Sequence, residues 1–200
     1  ANIMGATKRV TEHLVLAKAG QARGVEFAIV RFGNVLGSSG SVVPIFNRQI
    51  SRGGPVTVTH PDVTRYFMTI TEAVSLVIQA GSMGADQVYV LDMGDPVKIS
   101  ALAARLIALR GLKVKDENNP DGDIAIKFTG LRDGEKMYEE LFVSDRSEHT
   151  ANPKIFSESP LFFDYQALDF LISTLSSAET LSRQDVTQLF ASVGVMIKSA

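Results

Sequence analysis

The sequence predicts an α/β fold, and three observations carry that expectation. Short apolar runs, Phe27-Ala28-Ile29-Val30, Gln87–Leu91 and Ile124–Thr129, alternate with stretches whose apolar residues recur every three or four positions. The run 27–30 shows no polar alternation, as expected of a strand buried on both faces. It leads into Gly33, Asn34, Gly37, Ser38, Ser39, Gly40 and Ser41. That is a backbone-rich loop at a strand's carboxyl end, where open α/β sheets bind ligands. Strands alternating with helices define the class.

The elements follow in order. Residues 2–19 read as a helix, with Ile3, Val10, Leu14 and Ala17 at helical spacing and Gly20 in the C-cap position. After the strand and its loop, 42–52 reads as a second helix. Ser41 is its expected cap, Gly53-Gly54-Pro55 its stop, and its N-terminus is suited to phosphate. A short β-branched strand is expected at 56–59 and a turn at His60-Pro61-Asp62. The third helix, 71–83, is capped by Thr71 or Thr69 and turns Ala73, Leu76, Val77 and Ala80 inward. The fourth, 100–109, is rich in Ala and Leu and reads as buried. Lys113–Asp123 is polar, with Asn119-Pro120-Asp121-Gly122 as a turn. Gly130–Gly134 reads as a loop and Glu135–Phe142 as a short helix. Beyond Tyr165 come two amphipathic helices, 165–175 and 183–193, split by a Ser-rich linker.

Composition narrows the function classes. The chain has 200 residues, 45% hydrophobic and 21% charged, with a net charge of −2. That is one domain, or one domain with a small lobe, and no general nucleic-acid or membrane-surface binder. It has no cysteine, hence no disulfide and no thiol chemistry. No apolar run approaches the ~20 residues of a transmembrane helix. No G-x-G-x-x-G occurs, and a helix with no strand before it opens the chain. It therefore reads as the C-terminal portion of a larger protein.

Several residues are suited to chemistry. Met4 and Lys8, four apart, share one helix face. Lys8 taken alone is an ordinary surface lysine. Arg31 ends an apolar strand, so its charge requires a partner or a ligand. Asn34 offers donors and an acceptor to an oxygen-rich ligand, or simply forms a turn. Arg65 and Arg132 lie in loops and can converge on a diphosphate. Glu135 can accept from ribose hydroxyls, or complement a helix dipole. His13, His60 and His149 lack ligand spacing, so no metal site is expected.

Four stretches in one order, MGATK at 4–8, RFGNVLGSSGSVVPIF at 31–46, VTHPDVTRYFMTI at 58–70 and GLRDGEKMYEEL at 130–141, resemble the nucleotide-diphosphate-sugar 4,6-dehydratases of bacterial polysaccharide biosynthesis. These are extended short-chain dehydrogenase/reductases. The nearest likeness is to UDP-N-acetylglucosamine 4,6-dehydratases of capsule and O-antigen pathways, and it covers about residues 1–157. It implies the C-terminal part of an extended Rossmann-type domain plus the small nucleotide-sugar lobe, with 158–200 as a helical extension. It implies an enzyme that oxidises C4 of a UDP-sugar with bound NAD (NADP being the alternative), eliminates water across C5–C6 and returns the hydride to C6. Simple 4-epimerisation shares that scaffold, and a non-catalytic UDP-sugar-binding module is the reading from another class.

The resemblance also assigns residues. Lys8 matches the lysine that holds the nicotinamide ribose, and Met4 occupies the usual tyrosine position, as in the long membrane-anchored subgroup. A thioether cannot serve as a general base. Phe32 and Gly33 fall beside the cofactor. Asn34, Ser39, Arg65, Arg132 and Glu135 fall on the substrate: Arg65 and Arg132 at the diphosphate, Glu135 at the ribose. Ser39 stands where small soluble relatives have arginine, and Asp133 where proline is usual. The Asp-Lys elimination pair and most of the NAD site would precede residue 1, so this stretch alone is expected to be inactive. The full-length protein is expected to be a homo-oligomer, with this part a cytoplasmic domain of a bacterial inner-membrane protein.

Overall fold

The structure is a computed structural model and describes residues 2–19, 21, 23–38, 40–84, 87–142, 147–159 and 165–197. In chain order its elements are α1 (Ile3–Ala19), β1 (Ala28–Arg31), β2 (Asn34–Val35), α2 (Val42–Ser51), β3 (Val56–Val58), β4 (Thr64–Arg65) and β5 (Phe67–Met68). They continue with α3 (Ile70–Gly81), β6 (Gln87–Leu91), β7 (Val97–Lys98), α4 (Ile99–Leu109), β8 (Val114–Lys115) and β9 (Ile124–Phe128). The last are β10 (Ser147–His149), β11 (Ile155–Glu158), α5 (Tyr165–Ser177) and α6 (Arg183–Ser192).

The main sheet has the order β1-β6-β11-β10. β1 and β6 are parallel, with Ile29 opposite Val88, and β11 runs antiparallel to β6, with Phe156 opposite Val90. Val88, Tyr89, Val90 and Leu91 are all buried, as their unbroken apolar run requires. α3 packs on this sheet through Ala73, Leu76 and Ala80, which share a core with Tyr89, Leu91, Met93 and Ile155. A second core lies between α2, α4 and the parallel strands β3-β9-β8, around Phe46, Ile50, Val56, Ile107 and Ile124. A third joins Ala6 and Val10 of α1 to Leu168 and Leu171 of α5 and Phe190 of α6.

Helix ends follow local chemistry. Asn2 begins α1 by accepting the Gly5 N–H on Oδ1 at 2.7 Å. Thr69 caps α3, accepting from the Glu72 N–H. Ser182 and Asp185 form a reciprocal capping box at the start of α6.

Several expectations need correction. No helix forms over 135–142. Glu135 and Glu139 are drawn into tertiary contacts with β4, β2 and the Tyr66 N–H, and the Met137 carbonyl accepts from the Thr64 N–H instead of from its own segment. Ser41 occupies the N-cap position of α2 but makes no capping hydrogen bond. Val77 points outward rather than into the core. α4 is amphipathic rather than buried: Ile99, Ala103 and Ile107 face in, while Leu109 is 79% exposed. Composition alone cannot separate these cases, because an Ala/Leu-rich helix reads as apolar on every face. The loop after β1 contains the two-residue strand β2, and the polar stretch 113–123 contains β8. Gly20 lies outside the described residues.

Candidate active-site cleft

One cavity of about 750 Å³ opens between the start of α1, the end of β1 and the segment 134–142. Met4, Lys8, Phe32, Gly33, Arg65 and Glu135 all line it. These residues come from four separate stretches of sequence. Met4 is 64% exposed on α1, and Lys8 is exposed one turn later on the same face. Phe32, directly after β1, is 39% exposed.

Two glycines allow the walls to close. A Cβ on Gly33 would lie 3.1 Å from Tyr66 Cβ and 3.2 Å from Met93 Cε, so a side chain there would require Tyr66 and Met93 to give way by a few tenths of an ångström. Gly134 has φ +74°, and a Cβ there would lie 2.7 Å from Asn2 Cβ. Its carbonyl accepts from Asn2 Nδ2 at 3.2 Å, which ties the 134–142 segment to the start of α1.

Arg65 and Glu135 form the polar wall. Arg65 Nη2 donates to Glu135 Oε1 at 3.2 Å, and Arg65 Nη1 to the carbonyls of Thr64 at 2.7 Å and Met137 at 3.3 Å. Glu135 also accepts from Thr59 Oγ1 at 2.9 Å and from the Arg132 N–H at 3.2 Å. Glu139, unmarked by the sequence reading, is the second carboxylate here. Its Oε1 lies 3.7 Å from Arg65 Nε, and it accepts from Asn34 Nδ2 and the Tyr66 N–H. Asn34 is thus held behind the wall rather than on it. Arg132 is exposed and stands outside the lining, so the two arginines meet only through Glu135. Ser39 lies outside the described residues.

Arg31 finds its partners inside the protein. Its Nε and Nη2 donate to the two oxygens of Glu12 at 2.7 and 2.8 Å, and Nη1 donates to Glu158. Burial would lower its pKa, but the hydrogen bond and charge of Glu12, with those of Glu158, hold it above its ordinary value. Burial would likewise raise the pKa of Glu12. The hydrogen bond and charge of Arg31, with Arg9, outweigh that and hold it low. His13, 3% exposed beside this group, is lowered to about 4 by burial and then by the charge of Arg9. Glu12 and Glu158 carried no local signal. A carboxylate on an otherwise amphipathic helix, and one ending an apolar strand, look like surface residues until the fold brings them together.

A nicotinamide dinucleotide fits this lining in part. Lys8 supplies a donor to hydroxyls and Phe32 an apolar face, while the 200 residues hold no G-x-G-x-x-G turn for its pyrophosphate.

The fold is similar to that of extended Rossmann-type dehydratases and epimerases. Pen from Bacillus thuringiensis is 34% identical, with a TM-score of 0.65 over 78% of this chain and 48% of that one. The dTDP-glucose 4,6-dehydratase DesIV from Streptomyces venezuelae, solved with NAD bound, has a TM-score of 0.50 at 18% identity over 65% of this chain and 39% of its own. Residues 1–160 match the polysaccharide biosynthesis protein family, and the chain belongs to it. The "Probable polysaccharide biosynthesis protein EpsC" of Bacillus subtilis is 57% identical over 142 residues, 70% of this chain but 22% of that protein. The "Uncharacterized membrane protein MJ1061" of Methanocaldococcus jannaschii is 35% identical over 98% of this chain and 59% of its own length. A UDP-glucose 4-epimerase of Rickettsia prowazekii is 36% identical over 72% of this chain and 40% of its own. The chain thus spans about a fifth of EpsC. No helix among the described residues is long and apolar enough to cross a membrane.

Proposed function

We propose that the chain is part of a nucleotide-sugar 4,6-dehydratase that acts on a UDP-hexose such as UDP-N-acetylglucosamine in capsule, O-antigen or exopolysaccharide biosynthesis. On this reading residues 1–157 are the C-terminal half of the NAD-dependent catalytic domain and 158–200 a helical extension packed on α1. The whole protein is a homo-oligomer whose catalytic part faces the cytoplasm at a bacterial inner membrane. The observation that carries the reading is the single cavity lined by Met4, Lys8, Phe32, Gly33, Arg65 and Glu135.

The cofactor, when bound, supplies reversible hydride acceptance. Lys8 orients its ribose by donating to hydroxyls. Met4 fills the position beside it without moving a proton, so the group that takes the C4 hydroxyl proton lies elsewhere in the full-length protein. Arg65 attracts the substrate's diphosphate, with Arg132 as a more distant charge at the mouth. Glu135 receives the nucleotide ribose, and Asn34, pinned by Glu139 and the Tyr66 carbonyl, fixes the loop beneath. Ser39 belongs to the same substrate-facing loop in sequence.

The test is to incubate the full-length protein with UDP-N-acetylglucosamine and NAD and identify the product. A 4-keto-6-deoxy sugar, lighter by one water, supports dehydration. A C4 epimer of unchanged mass would replace it with the epimerase reading, which the Rickettsia relative favours. Binding without turnover would leave a UDP-sugar-binding module. The 200-residue chain alone is expected to give no product.

A further inference from the structure

The cavity has a further wall, which belongs neither to α1 nor to the 134–142 segment. Gly194, Val195 and Met196, which follow α6, also line it. They lie beyond residues 1–160, the part that matches the family. The end of α6 explains how the chain arrives there. Gly194 has φ +73°, its N–H donates to the Ala191 carbonyl at 3.0 Å, and the Val195 N–H donates to the Phe190 carbonyl at 2.9 Å. This pair of bonds is a Schellman stop, which ends the helix through a left-handed glycine. Burial then alternates: Val195 and Ile197 are buried, and Met196 between them is 71% exposed. Val195 and Ile197 share a core with Ala6 and Val10 of α1 and with Leu168, Leu171 and Phe190 of the two C-terminal helices. Successive residues of an extended chain point to opposite sides, so two buried anchors hold Met196 outward. Met4 and Phe32, also exposed, line the same cavity. Three large apolar side chains from three separate parts of the chain thus surround one opening, with Lys8 among them.

We infer that the C-terminal arm 194–197 is a wall of the ligand site and that Met196 contacts the bound nucleotide. Apolar side chains gathered round a cavity with a few polar groups are the usual lining of a small-molecule site. A nucleotide offers rings with apolar faces and phosphates that carry charge; that assignment rests on the proposed function. Cofactor and substrate share this chemistry, and the test tells them apart. An unbranched, polarizable thioether adapts to the outline of a ring and contacts it favourably. The helical extension is then more than a buttress of α1. By burying Val195 and Ile197 it sets the position of Met196, and through Met196 it contributes to affinity.

The test treats the full-length protein briefly with hydrogen peroxide and reads sulfoxide at each methionine by peptide mass spectrometry. It is run on the protein alone, saturated with NAD, and saturated with UDP-N-acetylglucosamine. Oxidation of a thioether follows its exposure, so Met196 reacts readily without ligand, while the buried Met68 and Met93 react slowly and serve as internal controls. A ligand that touches Met196 slows its oxidation about threefold or more, and the ligand that does so is the one the arm contacts. Met196→Ala weakens that same ligand about threefold or more by calorimetry, and Met196→Leu restores most of the affinity. Neither variant moves the melting curve, because so exposed a side chain fills no core. The inference is overturned if Met196 is already protected without ligand, since it is then packed against the rest of the protein. It is also overturned if both ligands bind and Met196 oxidises as fast as before, or if Met196→Ala binds both as tightly as the wild type. Those two outcomes leave the nucleotide-sugar reading standing. A protein that binds neither ligand overturns the reading and the inference together.

Discussion

Arg31 and Arg65 each end a strand, each face two carboxylates, and keep similar fractions of their side chains exposed, 14% and 17%. What differs is where the carboxylates come from. Around Arg31 they sit on α1 and β11, elements fixed by cores on either side, and Glu158 is 3% exposed. Around Arg65 they sit on 134–142, a segment with no regular structure that forms the wall of the cleft. The first arrangement is a closed charge cluster that joins α1 to the sheet. The second is a charge pair a ligand can enter. Exposure of the arginine does not tell them apart; the rigidity and accessibility of its partners do.

The largest effect that separates the two centres is on stability. Arg31→Ala removes the guanidinium that joins Glu12 to Glu158 and leaves Glu12 its contact with Arg9. Breaking a buried pair in this way costs about 3–5 kcal/mol, read by chemical unfolding of the purified chain. Arg65→Ala should cost distinctly less, because water in the cleft reaches Glu135 and Glu139. Equal losses at the two positions would erase the distinction drawn between them.

Acid should probe the same contrast, since the closed cluster carries the shifted groups. His13 has a folded pKa of about 4, below its ordinary 6.5. Between those values the unfolded chain binds more protons, so stability falls as pH drops from about 6.5 towards 4. The shift amounts to about 3 kcal/mol in full. Glu12, held below its ordinary value, adds a further loss as pH falls through its folded pKa. His13→Gln should flatten the part of the profile above pH 5, and an unchanged profile would remove His13 as its source.

At the open centre the expected effect is on binding. Arg65→Ala in the full-length protein should weaken UDP affinity about tenfold or more, or at least ~1.4 kcal/mol, while NAD affinity changes little. Arg132→Ala should weaken UDP less, because its side chain lies off the cavity lining. A larger effect at Arg132 than at Arg65 would mean that the 130–134 loop closes on the ligand.

Much of this contrast was legible in the sequence, and its limits are physical. β6 and the start of β9 follow directly from their unbroken apolar runs, and α1 and α3 from periodicity. Met4, Lys8, Phe32, Gly33, Arg65 and Glu135, which share the cavity, were marked by the motifs together with Asn34 and Arg132, which stand off its lining, and Arg31 was marked as a charge in need of a partner. What could not be read was which partner. Glu12 and Glu158 lie 19 and 127 residues from Arg31, and no local pattern encodes such a meeting. The expected helix at 135–142 failed for the same reason. Glu135, Lys136, Glu139 and Glu140 favour a helix locally, but Arg65, Asn34 and Thr64, distant in sequence, partner this segment along the same wall. The strand pair β10–β11 was missed because Ser147-Glu148-His149 is a fully exposed edge with no apolar alternation.

The smallest expected effect sharpens the comparison from the opposite wall of the cleft. Met4 stands on α1, one turn before Lys8 and two turns before Glu12, so one helix serves both the cavity and the closed cluster. At 64% exposed, Met4 fills no core, and its replacement leaves no cavity behind. Met4→Tyr should therefore change stability by no more than about 0.5 kcal/mol, the range for surface positions. A phenol is longer by a ring and a hydroxyl, but it projects into a cavity of about 750 Å³. NAD binding by the full-length variant should persist, and turnover should continue at some level, since a phenol can exchange a proton where a thioether cannot. The measurement pairs a melting curve with an NAD titration. If the variant unfolds or no longer binds NAD, Met4 is a packing residue of the assembled enzyme. The wall that α1 contributes would then be as closed as the cluster around Arg31.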